Sequence, residues 1–255
     1  MDYKISIITV TLNAKNELLE TIQSIQEQTY QNFQHIIKDG LSSDGTLSLD
    51  FGKYKNTFIY KMNDIGIYDA MNQGFEYAVG DLIMFLNAGD RLISKNVLSL
   101  INASFNKNIN VSCIIGYTLQ KEFKNKKNSK LLGYGWPYKI LPFVQFPHPS
   151  FILKRDVAKE LEPLFDKKLK ISADYKQQLI LCKKGLLKPF YGNFIITLMP
   201  LGGASTKNYI SYLHGFFEVC RFSFQIYKIR FIYILFLKIF MHFYKKSYHR
   251  ETIYL

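Results

Sequence analysis

Three short strand-like runs, each broken by an Asn or Asp within three residues, set the tightest limit on how this chain can fold. They are Ile5 to Val10, followed by Thr11-Leu12-Asn13, Phe33 to Lys38, followed by Asp39-Gly40, and Leu82 to Leu86, followed by Asn87-Ala88-Gly89-Asp90. The first is β-branched almost throughout and reads as a buried strand. Between the runs, Leu18, Ile22 and Ile25 recur at helical spacing, as do Ile67, Met71, Gly74 and Ala78. Asn13 is placed to cap the first of these helices. Thr57 to Lys61 and Val111 to Ile115 read as further strands, with a helix through Val97, Leu98 and Ile101 between them. Such alternation predicts an α/β fold, a mostly parallel sheet with helices on both faces. Ligands of these sheets bind beyond the carboxyl ends of the strands. Asp39, Asn87 and Asp90 fall at such ends, with Asp64 and Asp69 between them in sequence.

The regular alternation blurs after residue 120. Lys121 to Lys130 is a Lys/Asn-rich surface loop, and His148-Pro149-Ser150 leads into a strand at Phe151-Ile152-Leu153. Arg155 to Leu164 is expected to be helical, and a second helix opens at Ile171-Ser172-Ala173-Asp174, with Tyr175, Leu179 and Cys182 facing inward and Gly185 ending it. Ile195 to Met199 reads as a strand, and Gly202-Gly203-Ala204-Ser205-Thr206 as a polar turn. Residues 209–248 then hold 14 Phe or Tyr, six Lys/Arg and one acidic residue, Glu218. The expected boundaries are 1–207 for the main α/β domain, divided near residue 118, and 208–255 for an amphipathic basic-aromatic helical tail.

Charge follows the same division. Residues 1–100 carry 8 Lys/Arg against 12 Asp/Glu, a net −4, whereas residues 101–255 carry 25 against 8, a net +17. A basic, aromatic tail suits an anionic membrane surface or nucleic acid, with core-packing helices or an oligomer contact as the alternatives. The most membrane-like window, Ile226 to Tyr244, is interrupted by Lys228, Arg230 and Lys238 and does not support a spanning helix, and the opening apolar run is too short for a secretory leader. Cys113, Cys182 and Cys220 lie far apart without metal-ligand spacing, which points to a reducing compartment. The expected location is cytoplasmic, peripheral on the inner face of the plasma membrane.

No Gly-x-Gly-x-x-Gly follows the first strand, and neither a P-loop nor a Gly-x-Ser-x-Gly elbow is present. What remains is a carboxylate-lined edge able to hold a hard divalent cation through oxygen ligands, with a substrate diphosphate completing the shell. Asp174, opening its helix without a charged neighbour in sequence, is a candidate general base. The alternative is that these acids cap helices and support turns.

The ordered motifs themselves carry a resemblance. They are Ser6 to Asn13, Lys38-Asp39-Gly40-Leu41-Ser42-Ser43-Asp44-Gly45-Thr46, Asp64-Ile65-Gly66-Ile67-Tyr68-Asp69-Ala70-Met71-Asn72-Gln73-Gly74, and Gly80-Asp81 through Asn87-Ala88-Gly89-Asp90. His148-Pro149-Ser150-Phe151, Ala173-Asp174-Tyr175 and Gly202-Gly203-Ala204-Ser205 follow. Over about residues 4–206 the chain resembles the family 2 glycosyltransferases, inverting enzymes of GT-A fold, closest to the bacterial type that builds capsule, exopolysaccharide or O-antigen.

That resemblance implies roles for particular residues. Thr11 and Asn13 would cradle the nucleotide, and Asp39 would hydrogen-bond its base or ribose. Asp69 would touch the sugar, while Asn87 and Asp90 would form the acidic motif, with Asp90 as the direct ligand to Mg2+ or Mn2+. Asp174 would be the catalytic base, and His148 and Ser205 would border the diphosphate and acceptor. The implied partners are a nucleoside-diphosphate sugar, foremost a UDP-sugar, a glycan or lipid-linked glycan acceptor, and an anionic membrane surface, with no nucleic acid. Two departures stand out: Gly89 occupies a place where a second Asp is common, and Leu41 replaces the second glycine of the usual Asp-Gly-Gly-Ser. A sugar-1-phosphate nucleotidyltransferase and a basic nucleic-acid-binding protein are the competing readings. The first wants a glycine-rich basic loop that Asn13-Ala14-Lys15-Asn16 does not supply, and the second a recognised RNA motif.

Overall fold

The computed structural model describes residues 1–121, 129–133, 145–200 and 209–228. Within them one curled sheet runs through the molecule, built from β1 (Ile5–Thr11), β2 (Phe33–Asp39), β3 (Thr57–Lys61), β4 (Leu82–Phe85), β5 (Arg91–Leu92), β6 (Cys113–Lys121), β7 (Ser129–Leu132), β8 (Phe151–Lys154) and β9 (Pro189–Pro200). The order across it is β3-β2-β1-β4-β8-β6-β9-β5, with β7 on β6. Pairing is parallel from β3 through β4, as the alternation predicts. Beyond β4 it is mixed: β8 runs antiparallel to both β4 and β6, β6 and β9 are parallel, and β5 is antiparallel to β9. The sheet is therefore wholly parallel in its first half and mixed in its second. The two-residue β5 and the short β7 escape a sequence reading because neither spans a full period-2 pattern.

Strand alternation divides the core in two. Ile8, Val10 and Ile36 point to one face, under α2 (Ile67–Glu76), α4 (Arg155–Lys159) and α5 (Ala173–Lys183). Ile5, Ile7, Met84 and Leu86 point to the other, under α3 (Val97–Lys107), while Leu18 and Ile22 of α1 (Lys15–Gln26) pack on Ile37. Helices thus cover both faces. The helix expected from Arg155 to Leu164 stops at Lys159, and Pro163 lies just beyond. Ile67 is exposed, and Tyr68 takes the inward place beside Met71 and Gly74.

The last described element, α6 (Tyr209–Tyr227), does not stand away from the domain. Val219 and Phe222 are buried against Tyr175 and Leu179 of α5, so these two residues face this helix, while Ala173 and Leu181 of α5 face the sheet-side core. Its outer side leaves Phe216, Phe217 and Phe224 exposed. No helix among the described residues is long and apolar enough to cross a membrane.

Candidate active site

Two groups of side chains gather at the carboxyl edge of the parallel strands. The first begins where Thr11 and Asp39 stand opposite each other at the ends of β1 and β2, and Gly40 N–H donates to the Thr11 carbonyl at 2.9 Å. Asp39 is fully buried, with Oδ1 accepting from Ser42 N–H at 2.7 Å and Oδ2 from the Ser42 hydroxyl at 2.8 Å. The loop this carboxylate holds contains Leu41 at a φ of 68°, in the left-handed region. Only a strongly braced loop keeps a leucine there. Asn13 does not cap α1; it sits at a φ of 51° and its Oδ1 accepts from Ser43 N–H at 2.8 Å. The cap comes from across the loop, where Asp44 Oδ2 accepts from Lys15 N–H at 2.9 Å. Hydrogen bonds led by that from the Thr46 hydroxyl hold the Asp44 carboxyl below its usual range.

Lys38, fully buried on β2, pairs with Asp64 at the end of the β3 loop. Asp64 lies close over Gly40, where an added Cβ would come within 2.9 Å of its Oδ2. Asp69 is turned to local work: its Oδ2 accepts from Ile65 N–H and the Gln73 amide, and its Oδ1 lies 3.5 Å from Lys167 Nζ. Leu12, Leu41 and Ile65 are exposed around this edge and give it apolar rims.

Next to β1, the turn Asn87–Asp90 leaves β4, and Ala88 N–H donates to the Val10 carbonyl at 3.3 Å. Thr21 of α1 clamps this turn from beneath. Its hydroxyl donates to the Asp90 carbonyl at 2.8 Å and accepts from Gly89 N–H at 2.9 Å. Gly89 has a φ of 96°, a conformation that favours glycine, so a second acid at this place would be strained. Asp90 is 7 % exposed and pairs with no cation among the described residues. Burial pushes its carboxyl up to about 7, opposed only by the Asn87 N–H.

No group of three or more His, Cys, Asp or Glu among the described residues is arranged to hold a metal. The oxygen chemistry at this edge nevertheless fits a hard divalent ion. Asp90 is a desolvated carboxylate wanting positive charge, and Asn87 Oδ1 and Thr11 Oγ1 are buried oxygens without a hydrogen-bond partner.

The second group lies toward β8 and α5. His148 stacks on Phe85 with centroids 5.1 Å apart and meets Phe165 edge-on at 5.4 Å. This desolvation lowers its pKa, an effect that nearby Asp174 partly offsets, so the ring stays neutral at pH 7. Asp174, in the first turn of α5, accepts from the Tyr68 hydroxyl at 3.3 Å and from the Gln145 amide at 3.2 Å. The Tyr68 hydroxyl also donates to the Ile171 carbonyl at 2.7 Å. Burial and then the charge of Asp174 raise the Tyr68 pKa well above its usual value, which keeps the phenol protonated.

Of the residues singled out from sequence, Thr11, Asn13, Asp39, Asn87 and Asp90 therefore fall in the first group, and His148 and Asp174 in the second. Asp69 braces the loop between them. Ser205 lies outside the described residues. Thr21, Tyr68 and Gln145 were not singled out. Thr21 had a signal, a hydroxyl buried on an otherwise apolar helix stripe; Gln145 had none.

Residues 6–161 match the family described as Glycosyl transferase family 2. A PGL/p-HBAD biosynthesis glycosyltransferase of Mycobacterium tuberculosis is 36% identical over 104 residues, which is 38% of this chain and 40% of that protein. The minor teichoic acid biosynthesis protein GgaB of Bacillus subtilis is 30% identical over 207 residues, 73% of this chain but 22% of its own length. The chain thus spans well under half the length of the curated relatives it matches. Among solved structures, S. aureus TarS 1-349 in complex with UDP-GlcNAc superposes with a TM-score of 0.68 at 16% identity, covering 86% of this chain and 65% of that one. The mannosyltransferase PcManGT from Pyrobaculum calidifontis, in complex with GDP-Man and Mn2+, gives 0.63 at 14% identity, covering 88% and 64%. These two likenesses concern the fold. With its motifs in order and more than half its length matched, the chain belongs to glycosyltransferase family 2.

Proposed function

We propose that this protein is an inverting glycosyltransferase that moves a sugar from a nucleoside-diphosphate donor to a hydroxyl of a growing bacterial surface glycan. The observation that carries this reading is the buried carboxyl of Asp90, uncompensated by any basic side chain among the described residues at the edge where the parallel strands end. A site of that kind is costly unless a cationic ligand answers it. Family membership favours transfer over nucleotidyl transfer or nucleic-acid binding.

In this reading the nucleoside lies over the Thr11–Asn13 and Asp39–Ser42 loops, between the apolar rims of Leu12 and Leu41. UDP is the nucleotide we favour, supported by the TarS complex with UDP-GlcNAc. Asp90, with Asn87 and Thr11, would hold Mg2+ or Mn2+, which when bound neutralises charge on the departing diphosphate. Asp174 accepts the proton of the acceptor hydroxyl as that oxygen attacks the anomeric carbon from the face opposite the nucleotide, and the configuration inverts. The Tyr68 and Gln145 donors each hold one oxygen of this carboxylate and so restrain the base. His148, neutral and wedged between two rings, walls the site without adding charge. A surface-glycan acceptor agrees with the names of the relatives, which belong to PGL/p-HBAD and teichoic acid biosynthesis. The membrane surface is the proposed meeting place.

Thermal stabilisation against a panel of nucleoside diphosphates and their sugars, with and without Mn2+, tests the donor class. Asp174→Asn, nearly isosteric, should cut turnover about 10²–10⁴-fold and leave UDP affinity unchanged. Retention of more than about a third of wild-type turnover, with chemistry rate-limiting, would remove Asp174 from the role of base.

A further inference from the structure

We infer that Glu218, on the C-terminal helix α6, is a positioning residue for Asp174. The inference rests on the reading of Asp174 as the base, and it assigns to α6 a part in the reaction. The Glu218 carboxylate accepts from three successive backbone N–H groups: Lys170 at 2.6 Å, Ile171 at 3.1 Å and Ser172 at 2.9 Å. These are the residues that enter α5, and Ser172 is its N-cap, without a capping hydrogen bond from its own side chain. Glu218 supplies from a distant element the negative charge that a helix start favours. A fourth hydrogen bond ties the same two segments, from the Ser172 hydroxyl to the Gly215 carbonyl at 3.3 Å.

The held loop is also the one that sets Asp174. The Ile171 carbonyl, in the same peptide group as the clamped Ser172 N–H, receives the Tyr68 hydroxyl, and that same hydroxyl contacts Asp174 Oδ1. Release of the loop would move both the helix start that carries Asp174 and the phenol that orients it. Displacement by an ångström of a group that must meet a reacting proton costs up to about 100-fold in rate. Burial of Val219 and Phe222 against Tyr175 and Leu179 fixes α6 independently, so the clamp can be cut without detaching the helix.

The experiment uses the full chain. Glu218→Ala and Glu218→Gln are compared with Val219→Ala, which loosens the same helix contact without touching the carboxylate, and with Asp174→Asn. For each, UDP affinity with Mn2+ is measured by calorimetry, and turnover of the donor is followed by UDP release below every variant's unfolding range. Glu218→Ala should lower kcat about 10- to 100-fold with UDP affinity within twofold of wild type, and Glu218→Gln, which keeps acceptor oxygen in place, should recover part of the loss. Val219→Ala should keep kcat within about threefold despite lower stability. Unchanged kcat in Glu218→Ala, or an equal loss in Val219→Ala, overturns the inference. If Asp174→Asn is inactive while both Glu218 variants work, the clamp alone falls; if Asp174→Asn keeps its turnover, the base reading falls and the clamp loses its target.

Discussion

At Asp90, burial raises a carboxyl from its usual 3.8 to about 7, so ionisation in the folded chain carries a cost absent from the unfolded chain. Such a group takes up a proton on folding between about pH 4 and 7. Its contribution to stability therefore declines as pH rises across that window and is at its lowest above about 7. Asp90→Asn removes the ionisation and should stabilise the metal-free protein above pH 7 by on the order of 2–4 kcal/mol, seen as several degrees in Tm. The gain should disappear near pH 4. Added Mn2+ should raise the Tm of wild type at pH 8 and leave that of Asp90→Asn unmoved. Thermal scans with and without Mn2+ across pH 4–8 check all three; equal Tm values for the two proteins above pH 7 would show that Asp90 is not the desolvated group. Leu41 is a second residue held against its preference, at a φ of 68° in the left-handed region. Here the bonds from Ser42 to the Asp39 carboxylate stabilise the turn, and the leucine side chain is half exposed as a rim.

Among the elements, those legible in the sequence are those with a full period of pattern. The strands β1, β2 and β4 and the helices α1, α2 and α3 were legible because apolar spacing and terminating Asn or Asp agreed. Long-range partners left no local mark. Asn13 has the chemistry of a cap, yet Asp44 from a distant loop does the capping. The mixed half of the sheet depends on where β8 and β9 insert between neighbours remote in sequence. The site was legible as a list of acids but not as a geometry, since Thr21, Tyr68 and Gln145 act through contacts that spacing cannot show. Glu218 is the intermediate case: its isolation among aromatic and basic residues marked it as unusual, and only the fold gave it a target. Element packing also yields a prediction at Gly80, where β4 enters the sheet. An added Cβ would lie 2.6 Å from the Lys4 carbonyl and 2.7 Å from Ser6 N, both backbone atoms of the neighbouring strand. Gly80→Ala should destabilise by about 1–3 kcal/mol, read as a lower urea midpoint with an unchanged slope. An unaltered midpoint would mean that β1 and β4 are not so closely seated.

For the whole molecule, the described part of the tail is a helix built into the domain, so two truncations separate its roles. A chain ending at residue 207 would uncover Tyr175 and Leu179 and remove the Glu218 bonds, and it should melt several degrees lower and aggregate. A chain ending at Lys228 keeps those contacts and loses residues 229–255, with five Lys/Arg, one acid and eight Phe or Tyr. It should retain its Tm and UDP affinity but bind anionic vesicles more weakly than the full chain, because both cations and aromatic area are removed. Flotation with anionic and neutral vesicles, beside thermal scans, measures both effects; undiminished vesicle binding would move the membrane contact to the exposed phenylalanines of α6. The acidic turn, finally, hangs between β4 and β5, and β5 is paired with β9, where Arg91 stands opposite Leu198. During synthesis the edge of β1 to β3 can form long before that pairing exists, whereas the β5 pairing that follows Asp90 waits for a strand made more than a hundred residues later. In the emerging chain the acidic turn is thus held from β1 and α1 alone, and its far side is tied down when β9 arrives.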